Sequence, residues 1–148
     1  MAIHFYSKTQ EYYWLSNFSK HGFSLNGQYW PTVEHYFQAQ KFPNHPLQEE
    51  IRLAEKPSKA KKLGRTRSVS IREDWEDIKE QVMKEALLAK FNTHEELRQQ
   101  LLETGDEELI EAAPADYYWG CGKTGTGKNR LGVLLMEVRR ELRSEETV

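Results

Sequence analysis

The middle of the chain carries a long helical pattern, which constrains the fold more than any other feature of the sequence. Five apolar residues recur there at three- or four-residue spacing: Trp75, Ile78, Val82, Ala86 and Ala89. This spacing predicts a helix from about Arg72 to Phe91 with one face in a hydrophobic core. The chain has 148 residues, a length that fits one compact domain, so residues 1–148 are expected to form a single domain.

Further helices are expected on both sides of this one. Their expected ranges are 31–42, 47–55, 58–63 and 129–143. Pro31 suits the first turn of its helix, where the missing N–H would be unpaired in any case. The sequence Thr93-x-x-Glu96 is typical of a capping box and predicts one more helix, from Thr93 to about Gly105. Helices therefore dominate the expected fold.

Strand signals are few. Residues 3–6 and 109–112 are expected to be short strands. The segments 23–25 and 28–30 flank Asn26-Gly27, a pair that tolerates the positive φ angles of a type I′ turn, so they predict a hairpin. The expected class is α+β, a helix-dominated single domain with a small antiparallel sheet.

Composition and charge narrow the possible functions. The formal net charge is −2, so any nucleic-acid binding must come from a local patch. No apolar run reaches the roughly 18–20 residues that a membrane span needs, and the N-terminus lacks a secretory pattern. Cys121 is the only cysteine, so no internal disulfide can form and a cytoplasmic location is expected. The histidines show no metal-binding spacing, and neither a metal nor a cofactor is expected.

A glycine-rich stretch, residues 122–129, nearly matches the Walker A pattern G-x-x-x-x-G-K-[ST]. Asn129 replaces the Ser or Thr that would bind Mg²⁺, and the preceding segment 116–119 is not a buried hydrophobic strand, so an NTPase is not favoured. A phosphate-binding loop stays open, because glycines let backbone N–H groups approach an anion and a helix N-terminus follows. Lys128 adds positive charge. A flexible solvated turn is the alternative.

A second basic feature spans residues 56–72, which hold seven Lys and Arg residues and no acidic residue. Such a run is usually a solvated helix face. Here it leads through Gly64-Arg65-Thr66-Arg67-Ser68 into the long helix, and arginines at a helix junction suit phosphate oxygens, which they can grip bidentately. Arg65 is therefore a candidate phosphate ligand, with a solvated surface as the alternative.

Two carboxylates lie among aromatic residues. Glu34 falls in the first turn of its helix, where an acid ordinarily complements the helix dipole, and Gln38 and Lys41 follow it on the same face. Asp116 precedes Tyr117-Tyr118-Trp119, where an acid is ordinarily a turn-former. Two carboxylates near aromatic rings would also suit N-glycoside cleavage. In that reaction the leaving nitrogen needs a proton, the sugar develops oxocarbenium character at C1′ and a water must be activated.

Other residues extend this candidate site. Trp75 and Trp119 could stack a base or shape a ribose pocket, although the spacing of Trp75 also explains it as core. Asn17 and Phe18 lie on an irregular segment that could form a pocket wall. Cys121 could be a nucleophile, but no base stands at a recognisable spacing from it.

Seven blocks that span nearly the whole chain resemble the NADAR (YbiA-like) family. They occur in order at residues 15–18, 30–42, 64–68, 74–76, 84–91, 116–120 and 125–132. The most specific block, residues 30–42, reads WPTVEHYFQAQKF. The family's functional Glu, Trp, Asp and Trp fall on Glu34, Trp75, Asp116 and Trp119.

The resemblance implies a YbiA-like fold and an N-glycosidase that breaks the C1′–N bond of an ADP-ribose-like or phosphoribosyl ligand. Two activities are associated with the family. One removes ADP-ribose from guanine in DNA and so reverses a DNA-modifying toxin, which makes ADP-ribosylated DNA a candidate partner. The other hydrolyses phosphoribosylamino-pyrimidine intermediates of riboflavin synthesis. The first is the expected activity, and the second is its alternative.

The mechanism is expected to centre on Glu34, which would stabilise the developing cation or activate water, with Asp116 assisting the departing nitrogen or orienting ribose hydroxyls. In a second route Lys41 attacks C1′ and opens the ribose through a Schiff base. Lys128, Arg65 and the loop amides would hold the phosphates. The expected substrate-binding residues are Trp75, Trp119, Asn17, Phe18, Arg65, Lys128 and Asn129. The competing class is a non-catalytic module that binds ADP-ribose or nucleic acid.

Overall fold

The computed structural model describes residues 1–146. Helices dominate this part of the chain, as expected. The elements in chain order are β1 (Ala2–Phe5), a 3-10 turn (Tyr13–Leu15), β2 (Phe23–Leu25), β3 (Gln28–Trp30), α1 (Val33–Ala39), α2 (Pro46–Arg52), α3 (Pro57–Gly64), α4 (Trp75–Thr93), α5 (Glu95–Glu103), β4 (Glu108–Glu111) and α6 (Arg130–Glu146). The α+β class with a small antiparallel sheet is confirmed.

The antiparallel sheet is the expected hairpin of β2 and β3. Phe23 lies opposite Trp30, and Leu25 lies opposite Gln28. Asn26 and Gly27 both have positive φ angles, 54° and 79°, as a type I′ turn requires. A second strand pair was not expected from the sequence: β1 and β4 pair in parallel, in the register that places Ala2 beside Glu108 and Phe5 beside Glu111.

Contacts group the chain into two compact units, and each is described by itself. One unit contains residues 20–90, and the other contains residues 1–19 together with the segment that begins at Phe91. Helix α4 runs from the first unit into the second. The single domain over residues 1–148 stays a prediction.

In the unit of residues 20–90, α1 packs against α2, α3 and β3. The helix begins at Val33 rather than at Pro31, because Thr32 is its N-cap and accepts a hydrogen bond from the backbone N–H of His35 at 3.2 Å. Every residue from Val33 to Ala39 is buried. The polar side chains of this short helix are therefore buried with its apolar ones.

In the other unit, β4 packs against β1 and α6. Its buried apolar residues include Leu109, Leu131 and Leu135. The expected capping box is wrong. Thr93 is the last residue of α4, and His94 is the N-cap of α5 without a side-chain capping bond. The long helix continues through Thr93, so this residue keeps helical backbone angles where an N-cap needs extended ones.

Candidate active site

Glu34 is the most buried carboxylate of the expected site. It lies in the first turn of α1 and is 7% exposed. Gln38, one turn later on the same face, donates from Nε2 to Glu34 Oε2 at 2.7 Å. The Gln38 side chain is also buried, at 5% exposure. The two residues therefore form a buried amide–carboxyl pair at i, i+4 spacing.

Burial raises the pKa of Glu34, because the charged form loses its hydration. The hydrogen bond from Gln38 lowers this pKa, and so do the positive charges of Lys61, Lys41 and Arg65, but burial has the largest effect. The carboxyl therefore keeps its proton to a higher pH than an exposed glutamate does. A group in this state can take up and release protons, which general acid–base catalysis requires.

Lys41 lies at the end of the same block and is half-buried. Its Nζ donates to the carbonyl oxygen of Gly64 at 3.2 Å. Burial lowers the pKa of Lys41, and the charge of Glu34 opposes this effect. A lysine amine attacks carbon only in its neutral form, so a lowered pKa suits the nucleophile that a Schiff-base route needs. The structure thus brings Glu34 and Lys41 together with the charge of Arg65.

Trp75 is the first residue of α4 and is only 6% exposed. Its ring centroid lies 5.0 Å from that of Phe37 in α1, with the ring planes tilted by 57°. This packing agrees with the core explanation of Trp75. Little of the indole face is open, and the ring packs against the helix that carries Glu34.

The other unit holds the second expected carboxylate, Asp116. Its Oδ1 accepts hydrogen bonds from the backbone N–H groups of Tyr118, at 3.0 Å, and Trp119, at 2.8 Å. These bonds are those of a turn-former, and Oδ2 takes no part in either. The half-buried Trp119 ring packs edge-on against Tyr118 at 4.9 Å, and Lys128 Nζ lies 5.4 Å from the Tyr118 ring centroid. Asp116, Trp119 and Lys128 therefore share one cluster around Tyr118.

The last part of the glycine-rich loop and the start of α6 have no free N–H groups for the amide cradle that the sequence predicted. Each backbone N–H from residue 127 to residue 131 donates to a carbonyl oxygen within residues 117–121, at distances between 2.7 and 3.1 Å. The segment folds back on the residues before it, so these donors at the N-terminus of α6 already have partners. At these residues a phosphate could be bound only by side chains, and that of Lys128 is exposed.

Asn129 has a structural role at both ends of its side-chain amide. Its Oδ1 accepts from the backbone N–H of Glu111, and its Nδ2 donates to the carbonyl oxygen of Leu109, both at 2.9 Å. The backbone φ of Asn129 is 49°, in the left-handed region that asparagine tolerates better than most residues. Asn129 thus ties the start of α6 to β4.

Asn17 and Phe18 lie together on the irregular segment where the sequence predicted a pocket wall. Asn17 is 8% exposed and Phe18 is half-buried. The Phe18 N–H donates to Ser16 Oγ, and the Phe18 carbonyl accepts from the Tyr13 hydroxyl, both at 3.1 Å. These bonds fix the segment without a helix or strand.

Sequence reasoning placed Gln38 on the helix face of Glu34, as i, i+4 spacing requires, but gave it no role in the site. It did not identify Gly64 as part of the site. Gly64 has no such signal: a Cβ at this position would lie 2.0 Å from Gln38 Oε1. In residues 1–146 no group of three His, Cys, Asp or Glu side chains could hold a metal ion. None of the helices in this range is long and apolar enough to cross a membrane.

Comparison with known proteins identifies the family. The model of the NADAR domain matches residues 4–143. The chain belongs to the NADAR family. This NADAR chain is 50% identical over 144 residues to N-glycosidase YbiA of Escherichia coli K12, covering 97% of the chain and 90% of that protein. It is 47% identical over 150 residues to N-glycosidase Npun_R5314 of Nostoc punctiforme, covering 97% of the chain and 94% of that protein.

A plant relative and a solved structure complete the comparison. The NADAR chain is 42% identical to riboflavin biosynthesis protein PYRR of Zea mays, over 95% of the chain but only 25% of that protein. The NMR structure of E. coli YbiA matches with a TM-score of 0.91 and 49% identity, covering 99% of the chain and 87% of that structure. The family and its YbiA-like fold are confirmed, and the enzyme is an N-glycosidase.

Proposed function

We propose that this NADAR enzyme hydrolyses the C1′–N bond of a phosphorylated ribose, with Glu34 as its central carboxylate. The observation that carries the proposal is the buried pair of Glu34 and Gln38, joined at 2.7 Å beside the half-buried Lys41. Such a carboxyl is costly to bury, and a pKa raised by burial is typical of carboxyls that transfer protons in active sites. The relatives named N-glycosidases support the type of bond.

In the hydrolytic route, the C1′–N bond breaks and the nitrogen leaves with a proton from an acid. The oxygen of a water molecule bonds to C1′, and the proton of that water passes to the Glu34 carboxylate. The ionised carboxylate also stabilises the positive charge that develops at C1′. Asp116 is the second carboxylate that the family resemblance implies. Substitution of Asp116 by Asn tests it separately from Glu34.

As the substrate, we propose ADP-ribosylated guanine in DNA. The support is the basic segment 56–72, five of whose cationic side chains are exposed. These are Lys56, Lys59, Lys62, Arg65 and Arg67. Of the other two, Lys61 is half-buried, and Arg72 pairs with Asp74 at 2.6 Å. Exposed cations of this kind suit the phosphates of a polynucleotide.

The alternative substrate is a phosphoribosylamino-pyrimidine of riboflavin synthesis. It is favoured by a specific observation: the maize relative that aligns with 95% of the chain at 42% identity is named a riboflavin biosynthesis protein. A free nucleotide of this size carries few phosphates. The exposed cations of the basic segment would then contribute little to its binding.

The deciding experiment offers both substrates side by side and measures released ADP-ribose and released aminopyrimidine. Glu34→Gln should lower turnover by at least about 100-fold, whereas Glu50→Gln, at an exposed acid of α2, should not change it. Turnover near the wild-type rate in Glu34→Gln would contradict the role of Glu34. Binding of ADP-ribose without turnover of either compound would support the non-catalytic module instead.

The salt dependence distinguishes the two substrates independently. Affinity for a DNA substrate should fall steeply with salt, and the double substitution of Lys59 and Lys62 by Gln should make the slope shallower. Turnover of a free nucleotide should respond to neither change. A DNA affinity that is insensitive to salt and to both substitutions would argue against DNA as the substrate.

Borohydride reduction distinguishes the hydrolytic route from the Schiff-base route. In the Schiff-base route the Lys41 amine bonds to C1′ as the base departs, and reduction leaves the ribose attached to Lys41. A mass increase at Lys41 that is absent from Lys41→Arg would establish this route. The hydrolytic route predicts no adduct under conditions in which a known lysine glycosylase is trapped.

A further inference from the structure

We infer that Gln38 is a positioning residue for Glu34: its side-chain amide, seated in the space left by the missing side chain of Gly64, holds the carboxylate in its reacting orientation. The inference rests on the proposed function of Glu34. It adds to the site a residue that contacts the carboxyl group and need not contact the substrate.

The first support is the geometry of the pair. Gln38 Nε2 donates to Glu34 Oε2 at 2.7 Å, and both side chains are buried on consecutive turns of α1. The other end of the same amide, Oε1, is buried and has no hydrogen-bond partner within residues 1–146. A buried carbonyl without a partner costs stability, and an apolar side chain of similar length would avoid that cost. The donor to Glu34 is what an amide supplies and an apolar side chain does not.

The second support is Gly64, the last residue of α3. A Cβ built there would lie 2.0 Å from Gln38 Oε1 and 2.7 Å from its Cδ. Any other residue would therefore push the amide away from its present place. The Gly64 carbonyl also accepts the hydrogen bond from Lys41 Nζ. Gly64 therefore contacts two side chains of the site: it packs closely against Gln38 and accepts a hydrogen bond from Lys41.

The third support is the charge around Glu34. Lys61 and Arg65 act on the carboxyl from α3 and the residue after it, and Lys41 acts from the turn after α1. The hydrogen bond from Gln38 lowers the pKa of Glu34 more than any one of these cations does. Loss of this single donor should therefore change the titration of the carboxyl measurably.

The test compares the pH dependence of kcat in wild type, Gln38→Met and Gln38→Glu. Methionine keeps the length of the side chain but cannot donate a hydrogen bond. The limb of the kcat–pH profile that reports the ionisation of Glu34 should therefore move to higher pH. The direction is the same whether Glu34 acts as acid or base, because the donor stabilises the charged form in both cases. In Gln38→Met, kcat should fall about 10-fold, with KM changing much less.

In Gln38→Glu the new carboxyl can donate only when it is protonated, so the limb should move further still. Gln40→Met, a half-buried glutamine at the end of the same helix, is the matched control and should leave the profile unchanged. A limb that stays in place in Gln38→Met while kcat falls would overturn the inference, since a merely structural role predicts that result.

A second measurement does not need turnover. The carboxyl carbon of Glu34 can be followed by NMR during a pH titration, identified by its loss in Glu34→Gln. In folded Gln38→Met its midpoint should lie at higher pH than in wild type, and an unchanged midpoint would contradict the inference. An absence of turnover with both substrates would instead contradict the proposed function, so the two failures are separate observations.

Discussion

Gly64 leaves room for the side-chain amide of Gln38: because residue 64 has no side chain, Gln38 Oε1 occupies the place where a Cβ would lie. The Gly64 carbonyl oxygen also accepts a hydrogen bond from Lys41 Nζ at 3.2 Å. The glycine is not needed for its backbone angles, because it ends a regular helix. It is needed because the Gln38 side chain occupies the place where a Cβ of residue 64 would lie. The end of α3 therefore fixes the positions of groups that α1 and the turn after it carry.

Gly64→Ala should lower both stability and activity. The added Cβ would displace the Gln38 amide, and such overpacking costs about 1–3 kcal/mol. The better helix propensity of alanine, worth about 1 kcal/mol, offsets part of this cost. Urea unfolding and turnover measure the two effects. Ser58→Ala, at an exposed position of the same helix, should alter neither. Full activity in Gly64→Ala would contradict this role of the glycine.

The sequence was sufficient for features that depend on local pattern. The apolar spacing from Trp75 onward predicted the long helix, and Asn26-Gly27 predicted the hairpin with its two positive φ angles. The parallel pairing of β1 with β4 could not be predicted in this way. Its partners, such as Ile3 and Leu109, lie 106 residues apart in the chain, and neither strand carries a signal for the other.

In the candidate site, too, the features that depend on local pattern were predicted and the others were not. A helical face placed Glu34, Gln38 and Lys41 together, because residues three and four apart on a helix are neighbours. The glycine-rich loop was misjudged in one respect. The composition of the loop shows that its backbone can approach an anion. It does not show which carbonyl oxygens the N–H groups already bond, and in the structure the N–H groups of residues 127–131 all have such partners.

Glu34→Gln should make the protein more stable than wild type at pH 8 while activity falls by at least about 100-fold. The folded pKa of Glu34 is raised above its unfolded value. The contribution of Glu34 to the free energy of unfolding is therefore fully present below the unfolded pKa and is lost as pH rises through the folded pKa. Glutamine does not ionise, so the variant loses no stability in this way as pH rises.

The measurement for Glu34→Gln is the free energy of unfolding at several pH values. The advantage of the variant over wild type should grow as pH rises above the ordinary glutamate pKa of 4.5. Glu50→Gln should show no such trend. If the variant is less stable than wild type at pH 8 by the same amount as at pH 4, burial of the charged carboxyl does not dominate its energetics.

Asn129→Ala should destabilise the enzyme by about 2–3 kcal/mol. The substitution removes two hydrogen bonds and leaves the Glu111 N–H and the Leu109 carbonyl without them, and each such loss costs about 1–3 kcal/mol when the group is buried. It also places alanine at a φ of 49°, which alanine tolerates less well. Urea unfolding measures the loss. Among the molecules that remain folded, KM should stay near the wild-type value, and a large rise in KM with full stability would show instead that Asn129 binds substrate.

Lys90→Met should flatten the dependence of stability on pH above neutrality. Lys90 is 1% exposed, and burial lowers its pKa to about 7, whereas the unfolded chain keeps an ordinary lysine near 10.4. Between these values the unfolded state binds more protons than the folded state, so wild-type stability should rise with pH. The slope cannot exceed about 1.4 kcal/mol per pH unit for one proton. Unfolding free energies at pH 7, 8 and 9 should therefore rise less steeply in Lys90→Met than in wild type. Lys62→Met, at an exposed position, should keep the wild-type slope, and an identical slope in Lys90→Met would mean that Lys90 stays charged in the folded enzyme.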